Sequence, residues 1–158
     1  LAIRHGDGNW PALACIRLCA ELRLPVCAPS LAKSVKIPQD LLKLPLIHHR
    51  DDSAWRRWFE DAGVAERDTA ARGVTFSEMS LAIDAAVAGQ GVALARSALA
   101  ARDLIAGRLV NVAGLRQEAG YAYWLVRPKD RARGRKITRF SDWLRAEAEA
   151  DEKALAAI

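Results

Sequence analysis

The chain has no apolar run approaching the roughly eighteen residues that a membrane-spanning helix needs. It has only three cysteines, an odd and small number that fits a reducing compartment better than a disulfide framework. Cys15, Cys19 and Cys27 fall on one parity of a strand-like segment. Cys15 and Cys19 would then lie about 13 Å apart at roughly 3.3 Å per residue. That is too far for a bridge within one strand or a shared metal, so the cysteines read as small apolar fillers. No Ser–His–Asp order, Gly-rich phosphate loop or paired-carboxylate motif stands out, and no cysteine has a visible reason to become a thiolate. An enzyme is therefore not expected. Internal repeats and low-complexity tracts are absent as well. The opening LAIRHG has no initiator Met, basic n-region or cleavage pattern, and it starts as if inside a strand, so a fragment is expected.

What is present is an ordinary soluble globular composition, 51% apolar and 27% charged over 158 residues. The net charge is +5, and much of the excess lies in Arg127, Lys129, Arg131, Arg133, Arg135, Lys136 and Arg139, offset only by Asp130. This run has no interleaved aromatics and sits between a strand and a helix. It reads as a solvated loop rather than a nucleic-acid surface.

The chain is organised around residues 73–97, GVTFSEMSLAIDAAVAGQGVALARS. Val74 to Phe76 reads as a strand end, and Ser77 as the N-cap of a helix whose apolar stripe is Met79, Ala82, Ile83, Ala86 and Val87. Gly89 suits the helix stop, and Gly91 a tight turn into the strand Val92-Ala93-Leu94. The result is a βαβ unit, which implies a parallel pairing of its strands. Ser77, Glu78 and Met79 then stand at a helix N-terminus beyond a strand's carboxyl end, where open α/β sheets bind ligands and an anion is favoured.

Elsewhere, Leu1 to Ile3 reads as a buried strand end followed by the turn Arg4-His5-Gly6-Asp7-Gly8, then Trp10. Alternation from Ile16 to Val26 gives a long strand with the even positions buried. Pro38 opens a short helix, Leu46 to His48 a strand, and His48, His49 and Arg50 a polar loop at its end. With no third ligand nearby, a metal site at that loop is not expected. Asp51 to Ser53 caps a helix whose apolar face is Trp55, Trp58, Phe59 and Ala62. Ser97 caps another helix, and Leu109 to Val112 is a strand. Tyr121 to Val126 alternates, with Tyr121, Tyr123 and Leu125 on one face. Ile137, Phe140 and Leu144 share a last helix face with Trp143 beside it, and the chain is expected to fray from Ala146.

The stretch FSEMSLAIDAAVAGQGVALARSALAARDLIAGRLV resembles the second lobe of the effector-binding domain of LysR-type transcriptional regulators, in the glycine-cleavage-activator-like subgroup. LAIRHGDGNWP, LPVCAPSLA and YWLVRPKDRARGRKITRFSDWL agree in order, so the resemblance covers almost the whole chain. It implies an α/β, two-lobed, periplasmic-binding-protein-like (type 2) domain, incomplete at the N-terminus. Residues 1–20 would end lobe one and enter the crossover strand, 21–120 would form lobe two, and 121–158 would return to lobe one. The family's pocket-lining stretches align with Arg4, Gly6, Asp7 and Trp10, with Ser77, Glu78 and Met79, and with Tyr123, giving the expected effector-binding set. The implied function is sensing of a small polar metabolite by lobe closure in a cytoplasmic regulator. The alternative is a periplasmic-type solute-binding protein of a transporter. A homodimer or tetramer is implied, with DNA bound only through a missing N-terminal winged helix-turn-helix domain. No membrane contact, metal or cofactor is expected.

Overall fold

The computed structural model describes residues 1–65, 72–114, 116–130 and 134–157; Arg131 and Arg133 of the basic run lie outside them. The chain divides into two compact units, one of Leu1–Glu21 with Glu118–Ile158 and the other of Leu22–Gln117.

The Leu22–Gln117 unit is built on the carboxyl-terminal half of β2 (Leu13–Cys27) together with β3 (Leu46–His49), β4 (Gly73–Phe76) and β5 (Val92–Arg96), in the order β2-β5-β3-β4. A short β6 (Val110–Asn111) also pairs with β2. β5 is antiparallel to β2, whereas β3 is parallel to both β4 and β5. The strands of the predicted βαβ unit, β4 and β5, are thus parallel but not neighbours, because β3 lies between them. Burial explains the order. Leu46, Ile47 and His48 of β3 are all below 4% exposed, as a central strand covered on both faces must be. Val74 of β4 is 59% exposed and takes the edge. His48 consequently belongs to the buried strand and not to a polar loop, with its Nε2 3.1 Å from the carbonyl oxygen of Arg72.

Helix α1 (Pro29–Ala32) and a 3-10 turn at Pro38–Lys43 lead into β3. Helix α2 (Ser53–Asp61) starts where Asp51 accepts the backbone N–H of Ser53 at 2.9 Å. It buries Trp55, Trp58 and Phe59 in one aromatic cluster, the centre of a core that includes Cys27, Leu41, Leu46 and Val92. Helix α3 (Met79–Val87) buries Met79, Ala82, Ile83 and Ala86, while Val87 is only half-buried. Gly91 serves space more than turning: a Cβ there would stand 2.4 Å from the carbonyl oxygen of Pro45.

Two predicted caps are corrected. The N-cap of α3 is Glu78, in extended backbone, and the exposed Ser77 precedes it without capping. The N-cap of α4 (Ser97–Ile105) is Arg96, while the buried hydroxyl of Ser97 accepts the N–H of Leu22 at 3.0 Å. A sheet amide left without a partner outcompetes a helix end that solvent can satisfy.

In the other unit, β7 (Gln117–Pro128) lies between β1 (Ala2–Gly6) and β2. β1 pairs antiparallel with β7 from Ala2↔Val126 to Gly6↔Ala122. Arg4, His5 and Gly6 are therefore strand residues, and the turn starts at Asp7. The expectation of a buried start fails too. Among the described residues β1 pairs only with β7, and Leu1 and Ile3 are 47% and 54% exposed. On β2 the alternation breaks at Ala20, which is exposed, and Glu21, which is buried. Helix α5 (Arg135–Ala156) turns Ile137, Ser141, Leu144, Ala148 and Leu155 inward. Phe140 and Trp143 fall off that stripe and are exposed, packed on each other with ring centroids 5.6 Å apart. Residues from Ala146 onward continue the helix to Ala156, and Glu152 accepts the N–H of Ala20 at 2.6 Å.

Candidate functional site

The expected site residues fall in both units. In the first, Gly6, Asp7 and Gly8 form a tight corner between two indoles. The ring of Trp10 would meet a Cβ on Gly6 at 2.8 Å, and that of Trp124 one on Gly8 at 2.4 Å. Gly8 also has φ +84°, so a side chain there is excluded by conformation as well as by space. Trp124 Nε1 donates to the carbonyl of Gly6 at 3.0 Å. Arg4 lies over the Trp10 ring, 5.5 Å from its centroid, at cation–π range. Asp7 accepts the N–H of Asn9 at 3.0 Å, so one of its carboxylate oxygens shapes the turn while the residue itself stays exposed. Arg4, Gly6, Asp7 and Trp10 are therefore one structural group.

Tyr123 stands in register with His5, their ring centroids 4.9 Å apart. His5 Nε2 is 2.6 Å from Oε2 of Glu21, whose side chain is 1% exposed and whose Oε1 has no hydrogen-bond partner among the described residues. This pair escapes sequence reading. His5 looks like part of a turn and Glu21 like the solvent face of an alternating strand, and only strand order brings them together. Cys19 on the same strand has its thiol pKa raised, first by burial and then by the charge of Glu152. Burial likewise pushes Cys27 up to about 11, so neither is a reactive thiolate.

In the second unit, a pocket of about 100 Å³ opens at the carboxyl ends of β3 and β5, lined among others by Arg23, His49, Asp51, Trp55, Met79 and Arg96. Met79 contributes the first turn of α3, and Ser77 and Glu78 form the turn immediately before it. The imidazole of His49 is held below its usual pKa, first by burial and then by Arg96 and Arg50. A hydrogen bond with the Ser77 backbone and the charge of Glu78 oppose this. Ser77 thus bears on the pocket through its backbone. Arg50 has φ +71°, a left-handed conformation uncommon outside glycine, and donates its N–H to Phe76 at 2.8 Å.

Of the expected Ser77, Glu78 and Met79, only Met79 lines this pocket, with His49; Ser77 and Glu78 bear on it through His49. Arg23 and Arg96 were missed. Their one signal is that Arg96 ends a fully apolar strand, where the ligand crevice of an α/β sheet lies. Among the described residues, no group of three or more His, Cys, Asp or Glu could hold a metal ion, and no helix is long and apolar enough to cross a membrane.

Comparison with known proteins bears on this arrangement. The pattern of the LysR substrate binding domain matches residues 1–149. The chain is 36% identical over 156 residues to the glycine cleavage system transcriptional activator of Escherichia coli K12, covering 97% of this chain and 51% of that protein. It is 31% identical over 142 residues to the transcriptional activator AmpR of Citrobacter freundii, covering 90% and 48%. The structure of the AmpR effector binding domain from Citrobacter freundii superposes with a TM-score of 0.74 at 32% identity, covering 94% of this chain and 74% of that one. The chain spans about half the length of the curated relatives it matches.

Proposed function

We propose, for a chain that belongs to the LysR substrate-binding domain family and has its periplasmic-binding-protein-like (type 2) α/β fold, that it is the effector-sensing part of a bacterial DNA-binding transcription regulator. The observation that carries this reading is 36% identity over 97% of the chain to a relative named a transcriptional activator. Those names do not favour the solute-binding alternative.

In this reading the two units are the lobes of the sensor, bounded close to residues 20 and 120, and a small polar metabolite draws them into one closed state. Arg4, Gly6, Asp7, Trp10 and Tyr123 contribute from one lobe; Ser77, Glu78 and Met79 contribute from the other. The corner at Gly6 and Gly8 supports the first group, since indoles pressed on a side-chain-free backbone make a rigid wall. The pocket at the start of α3 supports the second. The protein acts in the cytoplasm without catalysing a reaction, pairs with copies of itself through the sensing region, and contacts DNA through a separate winged helix-turn-helix domain. The basic run then supplies at most salt-sensitive phosphate contacts without sequence preference.

The test is a thermal-shift screen of the chain against amino acids, small organic acids and sugar phosphates. A metabolite that raises the melting temperature saturably supports the reading. The absence of any hit in a folded sample, together with no response of a reporter promoter to the same compounds, contradicts it.

A further inference from the structure

We propose that the pocket at the carboxyl ends of β3 and β5 is an oxyanion site, in which Arg23 and Arg96 hold a carboxylate or phosphate group of the ligand. The inference rests on the effector-binding reading and names the chemistry that this part of the site selects.

Arg23 and Arg96 are direct partners in the antiparallel β2–β5 pair. Residues directly opposite project from the same face, and like charges so placed destabilise a sheet. Both arginines are half-buried, both line the pocket, and among the described residues neither guanidinium has a hydrogen bond or ion pair. Proteins ordinarily relieve such a pair with a carboxylate. Asp51, the acid that lines the same pocket, instead has Oδ1 engaged by the backbone N–H and hydroxyl of Ser53. Glu78 acts on the same region but is exposed at the N-cap of α3. Among the described residues, no carboxylate is paired with either guanidinium, and the cationic pair is open to an anionic group of a ligand.

Three features suit an oxyanion. Guanidinium forks match planar carboxylates and phosphates bidentately, which a lone ammonium cannot do. Arg96 and His49 end parallel strands, and the nine-residue α3 begins at Met79, so strand ends and a helix N-terminus open on one place. Ile47, Leu94 and Trp55 complete the lining with apolar surface, which strengthens the charge interaction. Burial first, then the charges of Arg96 and Arg50, hold the pKa of His49 below its usual value, in keeping with a cationic site. At about 100 Å³ the pocket has room for an acidic head group.

The test uses the chain labelled with nitrogen-15, titrated with malonate, inorganic phosphate and neutral malonamide at constant ionic strength set by sodium chloride. The expected result is saturable movement of the Arg23 and Arg96 Nε–H signals with malonate or phosphate and none with malonamide. The His49 titration midpoint should rise when the anion is bound. Arg96→Gln and Arg23→Gln should each weaken anion binding at least tenfold while the remaining amide spectrum stays native. Arg96→Lys should recover part of the affinity. Shifts that rise linearly without saturation, or that are equal in Arg96→Gln or with malonamide, would overturn the proposal. A neutral metabolite that binds saturably at this pocket and is indifferent to Arg96→Gln would overturn the oxyanion assignment and leave the effector reading standing.

Discussion

The imidazole of His5 meets the buried carboxyl of Glu21 at 2.6 Å, reaching from edge strand β1 across β7 to β2. Tyr121 and Tyr123 pack against the same ring, with centroids 5.7 and 4.9 Å away. One oxygen of Glu21 already lacks a partner, so removing His5 strands the whole buried group. We expect His5→Ala to cost about 2 to 4 kcal/mol of stability, toward the lower end because the ring is partly exposed and water can enter. His5→Leu combined with Glu21→Leu should cost less than the sum of the single changes, since the pair is replaced by apolar surface. Denaturant unfolding of the full cycle checks this, and additive single and double effects would contradict it.

Trp55 and Trp58 are both buried, yet only one uses its indole N–H. Trp55 donates to the Ile47 carbonyl at 3.0 Å, whereas Trp58 Nε1 has no partner among the described residues. Trp55→Phe should therefore cost about 1 kcal/mol more than Trp58→Phe, because it alone removes a formed hydrogen bond. Chemical denaturation of both variants decides, and an equal or reversed order would show that ring volume dominates.

Asp40 has its carboxyl pKa lowered to about 2, first by the backbone N–H of Lys36, then by the side chain of Lys43 and the N–H of Ile37. A depressed acid stabilises the fold above its unfolded pKa of roughly 4, and that contribution is lost as the pH falls through the folded value. The melting-temperature difference between the native chain and Asp40→Asn should therefore shrink steadily between about pH 4 and pH 2. A difference that does not change over this interval would mean the contacts are not formed in solution.

Much of this architecture was legible because periodicity reports burial. Trp55, Trp58 and Phe59 recur at helical spacing, and all three are core. Val92 to Leu94 forms a fully apolar run, and it is a buried strand. What could not be read depended on competition between distant groups. Ser77 and Ser97 both precede helices, but one is exposed beyond the cap and the other is claimed by the amide of Leu22. Phe140 and Trp143 look like core by composition, yet the helix turns Ser141 inward instead. β3 separates β4 from β5 because both β3 and β5 are buried on both faces while β4 is exposed and takes the edge, which no local pattern in β4 announces. The Arg23–Arg96 pair was invisible for the same reason, since register joins two charges that sequence keeps far apart.

The proposed effector-binding residues can be tested at three side chains. Once a stabilising metabolite is found, calorimetric affinity for Ser77→Ala, Tyr123→Phe and Asp7→Asn is the most direct measurement. Ser77 does not cap α3, so its replacement should leave helix stability nearly unchanged and a loss of affinity would report a ligand contact. We expect Ser77→Ala to weaken binding by about 1 to 2 kcal/mol, the size of a lost hydrogen bond to a polar or charged group. Weaker binding should also follow in at least one of the other two. Unchanged affinity in all three variants, with the fold intact, would contradict the account and place the pocket elsewhere.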